Sequence, residues 1–221
     1  MAEMNPGLTL ALAPAAGWVA HRLAERLTGA RGAGPAPAVL LAMLAAVSAC
    51  LAAPAHQPSA ASLCLGGALT ALALADLAAL RLPDALTLPL TGAGLVVAAF
   101  DLANAPLRPA LSLQALAGHA AAAAMGYLAF AGLALAYRRM RGRDGLGLGD
   151  AKLAAAAGAW LGWRPLPLMV LLACGLAFAW IGVRLLRKRR AALSEPIAFG
   201  APLALALWIC WLVRADLWFG L

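Results

Sequence analysis

The chain has 221 residues, of which 64% are hydrophobic and 12% charged, with a mean hydropathy of +0.86. An ordinary soluble domain carries roughly 45–50% apolar and about 25% charged residues, so the composition excludes a soluble single-core globule and a disordered chain, and the long unbroken apolar runs argue against a β-barrel. The net charge of +8, from 17 basic and 9 acidic residues, would suggest nucleic acid in a soluble protein; in a membrane protein it reports topology, because Lys and Arg collect in cytoplasmic loops, and no nucleic-acid partner is expected.

A helix needs about 20 apolar residues to cross a bilayer. Eight candidate spans follow along the chain: a short first one near Leu8–Arg22, then Pro37–Ala53, Ser62–Leu80, Asp84–Asp101, Leu111–Tyr137, a short sixth at Asp150–Trp163, Pro165–Leu186 and Ile197–Leu217. The expected fold class is all-α, a polytopic transmembrane helical bundle. The first twelve residues contain Glu3 and no basic segment, so a cleaved signal peptide is not expected.

The charges order these spans. Arg22, Arg26 and Arg31 follow the first span, Arg81 the third, Arg138, Arg139, Arg141, Arg143 and Lys152 the fifth, and Arg184, Arg187, Lys188, Arg189 and Arg190 the seventh. Only Arg108, Arg164 and Arg214 fall on the other side. This asymmetry places the first group in the cytoplasm and both termini outside. Trp163, Trp208, Trp211 and Trp218 are expected as interfacial anchors, and the small-residue stretch Ala117–Ala136, with Gly118, Gly126 and Gly132, as a close helix-packing surface. Cys50, Cys64, Cys174 and Cys210 lie in apolar stretches without a CxxC pair, so they read as small buried hydrophobes and no metal site is expected.

Acidic residues are scarce enough to weigh singly. Glu3, Asp101 and Asp216 fall at expected external ends, Glu25 among basic residues as a surface ion pair, Asp144 in a basic segment, and Glu195 where it could cap the last span. Asp76 differs: it interrupts the run Ala71–Leu80 near the cytoplasmic end of a span, where a charge is costly unless it faces a polar cavity or pairs with Arg81 or Lys152. Asp150 closes the run Gly145-Leu146-Gly147-Leu148-Gly149-Asp150, either as a helix N-cap or as a functional acid on a loop whose alternating glycines permit close approach.

Two crossings separate the acids, so both return to one face. Two carboxylates at one partly desolvated site do not easily both ionise; one keeps a proton while the other acts as a base. Such a pair can activate water against a peptide carbonyl, or relay protons in a transporter. There is no HExxH, no GxSxG, and His21, His56 and His119 are scattered, which disfavours zinc and serine peptidases.

Three segments carry a resemblance. The first runs from Ala75-Asp76-Leu77 through Leu82-Pro83-Asp84 to Leu86-Thr87; the second is Gly147-Leu148-Gly149-Asp150-Ala151-Lys152-Leu153 with the helix after it; the third is Pro196-Ile197-Ala198-Phe199-Gly200-Ala201-Pro202. They resemble the first-aspartate, GxGDxKL and late Pro-x-x-Phe-Gly motifs of the type IV prepilin peptidases, which are membrane aspartic proteases. The resemblance implies that Asp76 and Asp150 form the catalytic pair, with Asp84 the nearest rival for the first role and otherwise suited to cap the fourth span. It implies that Lys152 orients Asp150 or helps bind substrate, that Gly147 and Gly149 let the loop lie beside the substrate, and that the segment with Pro196, Phe199 and Gly200 lines the site, Pro83 belonging to the first motif.

The implied substrates are prepilins or pseudopilins, cut after a short basic leader at the cytoplasmic face of the bacterial inner membrane, with the lipid bilayer as the other partner and no cofactor. The expected organisation is one transmembrane domain over 1–221 with its motif core at about 62–202. Family members with a zinc-binding cytoplasmic domain also N-methylate the product; here the matching loop, about Ala24–Ala36, has no cysteine, so methyl transfer is not expected. A presenilin-like intramembrane protease uses the same GxGD chemistry and would be separated by its substrates. A proton-coupled transporter would show pH-dependent flux and no peptide product.

Overall fold

The computed structural model describes residues 14, 15, 18, 19, 22, 25, 26, 59–103, 109–142, 145, 147–188 and 198–213. Among them lie six long helices and no strand: α1 (Ser59–Ala79), α2 (Asp84–Ala103), α3 (Pro109–Arg141), α4 (Leu148–Leu161), α5 (Leu166–Lys188) and α6 (Gly200–Val213). They correspond in order to the third through eighth expected spans. Of the first expected span only residues 14, 15, 18, 19 and 22 are described, all of them helical; the second span, and Cys50, Asp144, Glu195, Pro196 and Trp218, lie outside the described residues. Arg22 and Glu25 do pair, at 3.7 Å, as expected for a surface ion pair.

Three helical segments are long and apolar enough to cross a membrane: Ala61–Ala79, Leu116–Arg141 and Leu166–Leu186. Asp84–Phe100 and Gly200–Val213 are apolar but shorter.

The helix ends follow from local chemistry. α1 stops where Leu80 turns into the left-handed region at φ 53° and returns its N–H to the Asp76 carbonyl at 2.8 Å. That is the αL cap usually given to glycine, and Pro83 then disfavours helix at Leu82. α2 starts immediately: the Pro83 carbonyl accepts from Leu86 and Thr87 N–H at 3.0 and 3.2 Å. Gly142 and Gly162 close α3 and α4 in the same manner as Leu80, at φ 66° and 73°, bonding the Arg138 and Gly158 carbonyls at 2.9 Å.

The core sits around α4 and α6. α4 packs most extensively on α3 and α2, while α6 packs on α1, α5 and α4. Buried Leu153, Ala156, Ala157 and Trp160 of α4 join Leu203, Ala204, Leu207 and Trp211 of α6 and Leu65, Leu69 and Leu72 of α1 in one cluster. Small residues set the α3–α4 approach. A methyl group added at Gly158 would lie 2.4 Å from the Ala122 main chain, and one at Gly126 would lie 2.6 Å from the Ala154 carbonyl oxygen. Gly118 and Gly132 of the same stretch face open space and take no part in this packing.

Two expectations are corrected here. Trp208 and Trp211 are buried core residues rather than interfacial anchors. Trp211 packs edge-on against Trp160 at 5.2 Å and donates its indole N–H to Ser62 Oγ at 3.1 Å, so its polar handle is satisfied inside the protein. Trp163 is exposed, as an anchor should be. Cys210 is buried as expected, but Cys64 is exposed on the outer face of α1.

Candidate functional site

Asp76 lies one turn before the end of α1 and Asp150 in the first turn of α4. Both are buried, at 4% and 6% exposure, in an apolar surrounding, and near enough for their charges to act on each other. Seventy-four residues of sequence separate these two buried carboxylates.

Asp76 is anchored by the third motif. The Ala201 N–H donates to Asp76 Oδ2 at 2.9 Å, and the Gly200 main chain also hydrogen-bonds the carboxylate. These are the first N–H groups of α6, which have no partner within their own helix. The start of a helix carries a partial positive charge, so a carboxylate there is favourable on both counts. Asp76 thus caps the start of α6 from another helix. Phe199 stands just before α6, its carbonyl accepting from Leu203 N–H at 3.1 Å and its ring 6.4 Å from that of Phe130. It directly precedes Gly200, whose main chain holds Asp76.

Asp150 is not the N-cap of α4. Gly147 occupies that position with extended backbone at φ −74° and ψ 142°, and has no side chain to cap with. Asp150 sits three residues on and takes a hydrogen bond from the Gly147 main chain, as the third helical residue of a capping box does. Its other oxygen, Oδ1, is buried and has no hydrogen-bond partner among the described residues. A buried acceptor left unpaired costs about 1–3 kcal/mol, so this atom is available to a water or a substrate.

The alternating glycines have separate tasks. Gly145 lies against the Tyr137 ring, which leaves no room for a methyl group, Gly147 caps the start of α4, and Gly149 admits Leu82, whose Cβ would be only 2.9 Å from a methyl group at that position. Lys152 reaches neither Asp76 nor Asp150. Its ammonium pairs with Asp84 Oδ1 at 2.5 Å, on the half-exposed rim where Asp84 opens α2 beside Pro83. Asp84 is therefore the partner of Lys152, outside the buried pair, so any influence of Lys152 on Asp150 runs through its place two residues further along α4.

Leu82, part of the first motif, and Trp160 carry contacts that the sequence pattern does not announce. Leu82 meets both Gly149 and Gly200. The Trp160 indole donates to the Leu90 carbonyl at 2.8 Å, tying α4 to α2. The pairing of a large residue with distant glycines has no periodic signature in one sequence. His119, read as a packed helix residue, bonds the Ala159 carbonyl through Nδ1 at 2.9 Å, at the far end of α4 from the carboxylates.

A family model described as the type IV leader peptidase family matches residues 63–183, more than half of the chain. Over 84 residues the chain is 46% identical to the prepilin leader peptidase/N-methyltransferase of Aeromonas hydrophila, covering 38% of this chain and 29% of that protein. The corresponding protein of Pseudomonas aeruginosa is 45% identical over 87 residues, 39% of this chain and 30% of its own length. Leader peptidase HopD of Salmonella typhimurium is 47% identical over 81 residues, 37% of this chain and 52% of that protein. The chain thus spans less than a third of the two bifunctional relatives and about half of HopD. No solved structure matches significantly. The matched segment holds both buried aspartates and most of each of the three described helices of membrane-spanning length, and by this match over more than half of its length the chain belongs to the type IV leader peptidase family.

Proposed function

We propose that this protein is an aspartic-type prepilin leader peptidase of a bacterial inner membrane. It removes short basic leaders from prepilins or pseudopilins at the cytoplasmic face, with Asp76 and Asp150 as the catalytic pair and no metal or other cofactor in the reaction. The single observation that carries the reading is a buried carboxylate oxygen without a partner, Asp150 Oδ1, beside a second buried carboxylate. Family membership and the names of the relatives support the substrate class.

The chemistry follows from the pair. The ionised carboxyl takes a proton from water, whose oxygen attacks the scissile carbonyl carbon. The protonated carboxyl gives its proton to the carbonyl oxygen. The tetrahedral intermediate then collapses, the C–N bond breaks, and the amine leaves with a proton from the pair. The two groups titrate as a unit, so acid and base are roles of the pair rather than of either residue. Activity against pH is therefore expected to be bell-shaped, with one limb for each loss of the singly protonated state.

We also assign eight spans with both termini outside, one domain over 1–221 and a catalytic core at about 62–202. The charge asymmetry supports this topology, since it puts both carboxylates near the cytoplasmic face.

The direct test uses the purified protein in lipid and a prepilin with a basic leader and a Gly-Phe junction. Asp76→Asn and Asp150→Asn should each abolish product while folding is retained. Absence of cleavage by the wild type across several prepilins and pH values would remove the peptidase reading. Cleavage that survives Asp76→Asn but not Asp84→Asn would transfer the first role to Asp84.

A further inference from the structure

We propose that Leu82 is a positioning residue for the carboxylate pair: wedged between the first turns of α4 and α6, it sets how far Asp150 stands from Asp76. Leu82 lies in the connection between α1 and α2, which is held at both ends. Leu80 is tied to the Asp76 carbonyl, and the Pro83 carbonyl takes two N–H groups of α2. The Asp84–Lys152 ion pair then fastens this connection to α4, two residues beyond Asp150.

The fit of Leu82 explains two glycines. A methyl group at Gly149 would meet Leu82 Cβ at 2.9 Å and Cδ1 at 3.1 Å; one at Gly200 would meet Leu82 Cδ1 at 2.7 Å and Asp76 Oδ2 at 2.9 Å. Neither glycine has a positive φ, so backbone conformation does not require glycine at either position. The space taken by one leucine does. Gly149 directly precedes Asp150, and the Gly200 and Ala201 main chain holds Asp76. One side chain therefore touches both turns that fix the carboxylates, and it is half-buried against the core.

The kinetic arm of the test rests on the peptidase reading; the spectroscopic arm does not. Leu82→Ala opens the wedge and lets water between the turns, which weakens the mutual influence of the two carboxyls. In prepilin cleavage, kcat is expected to fall about tenfold or more with KM held within about twofold, because misplacement of reacting groups is felt in the transition state. Leu82→Met, of similar volume, should restore most of kcat. Should Leu82→Ala fail to fold, Leu82→Val carries the same reading with a smaller loss.

Infrared titration of the carboxyl bands, assigned through Asp76→Asn and Asp150→Asn, measures the gap between the two proton-uptake steps. That gap should narrow in Leu82→Ala and recover in Leu82→Met. An active wild type whose kcat is unchanged by Leu82→Ala overturns the proposal. If the wild type cuts no prepilin, the peptidase reading fails and the infrared gap alone decides: a narrowed gap upholds the wedge, an unchanged one overturns it.

Discussion

The helices α4 and α5 are joined by a tight turn at Gly162 but solve opposite problems. α4 has 14 residues, nine of them buried, and carries Asp150. α5 has 23 residues, and its spanning window is only 22% buried. At 1.5 Å per residue α4 is about 21 Å long, short of the ~30 Å of bilayer hydrocarbon, whereas α5 exceeds it. The same division separates the short, buried α6 from the long α3, whose window is 17% buried. The long α1 stands apart from this division: its spanning window is 56% buried and it carries Asp76. The short helices α4 and α6 start within the protein, which is where a helix N-terminus can meet a buried carboxylate.

Six substitutions bear on this comparison, the largest effect first. Asp150→Asn, in the buried helix, should reduce cleavage by about 10³-fold or more with unfolding in mild detergent little changed, since it removes one half of a unit that acts together. Gly158→Ala should destabilise by about 1–3 kcal/mol, because its methyl group meets the Ala122 backbone. The same change at Gly175 of α5, which faces open space, should raise stability by about 0.5–1 kcal/mol through helix propensity. Equal effects at the two glycines, measured as shifts in thermal unfolding, would break the comparison. Trp211→Phe should cost about 1 kcal/mol for the lost bond to Ser62, against a change within about 0.5 kcal/mol for Trp180→Phe on the exposed face of α5. Leu80→Gly, at the left-handed cap of α1, should stabilise by about 1 kcal/mol, read in the same unfolding assay.

The elements were legible because their ends are chemical. Gly162 before Pro165, Pro83 before Asp84, and the arginines that end α3 punctuate the apolar runs, and the helices begin or end within a few residues of those marks. Asp76 and Asp150 were legible because a carboxylate in an apolar run is costly. The faces of the helices were not. A membrane helix is apolar toward lipid and toward protein alike, so nothing in the pattern told Trp211, inside, from Trp163, outside. Nor could spacing show that Lys152 reaches Asp84, 68 residues away, rather than an aspartate of the pair. The glycine alternation was visible as a pattern, but its reasons, a tyrosine ring, a helix start and a leucine, exist only in three dimensions.

The hydrogen bond from Ala201 to Asp76 comes from the main chain, and this has an evolutionary consequence. Nineteen of the twenty amino acids carry that N–H, so the donor survives nearly any drift in the codon for residue 201. Proline is the exception, and the first turn of a helix accommodates it without breaking. A saturation library at position 201 should therefore show tolerance set by side-chain size, with proline standing apart as the one replacement that deletes the donor and leaves the helix in place.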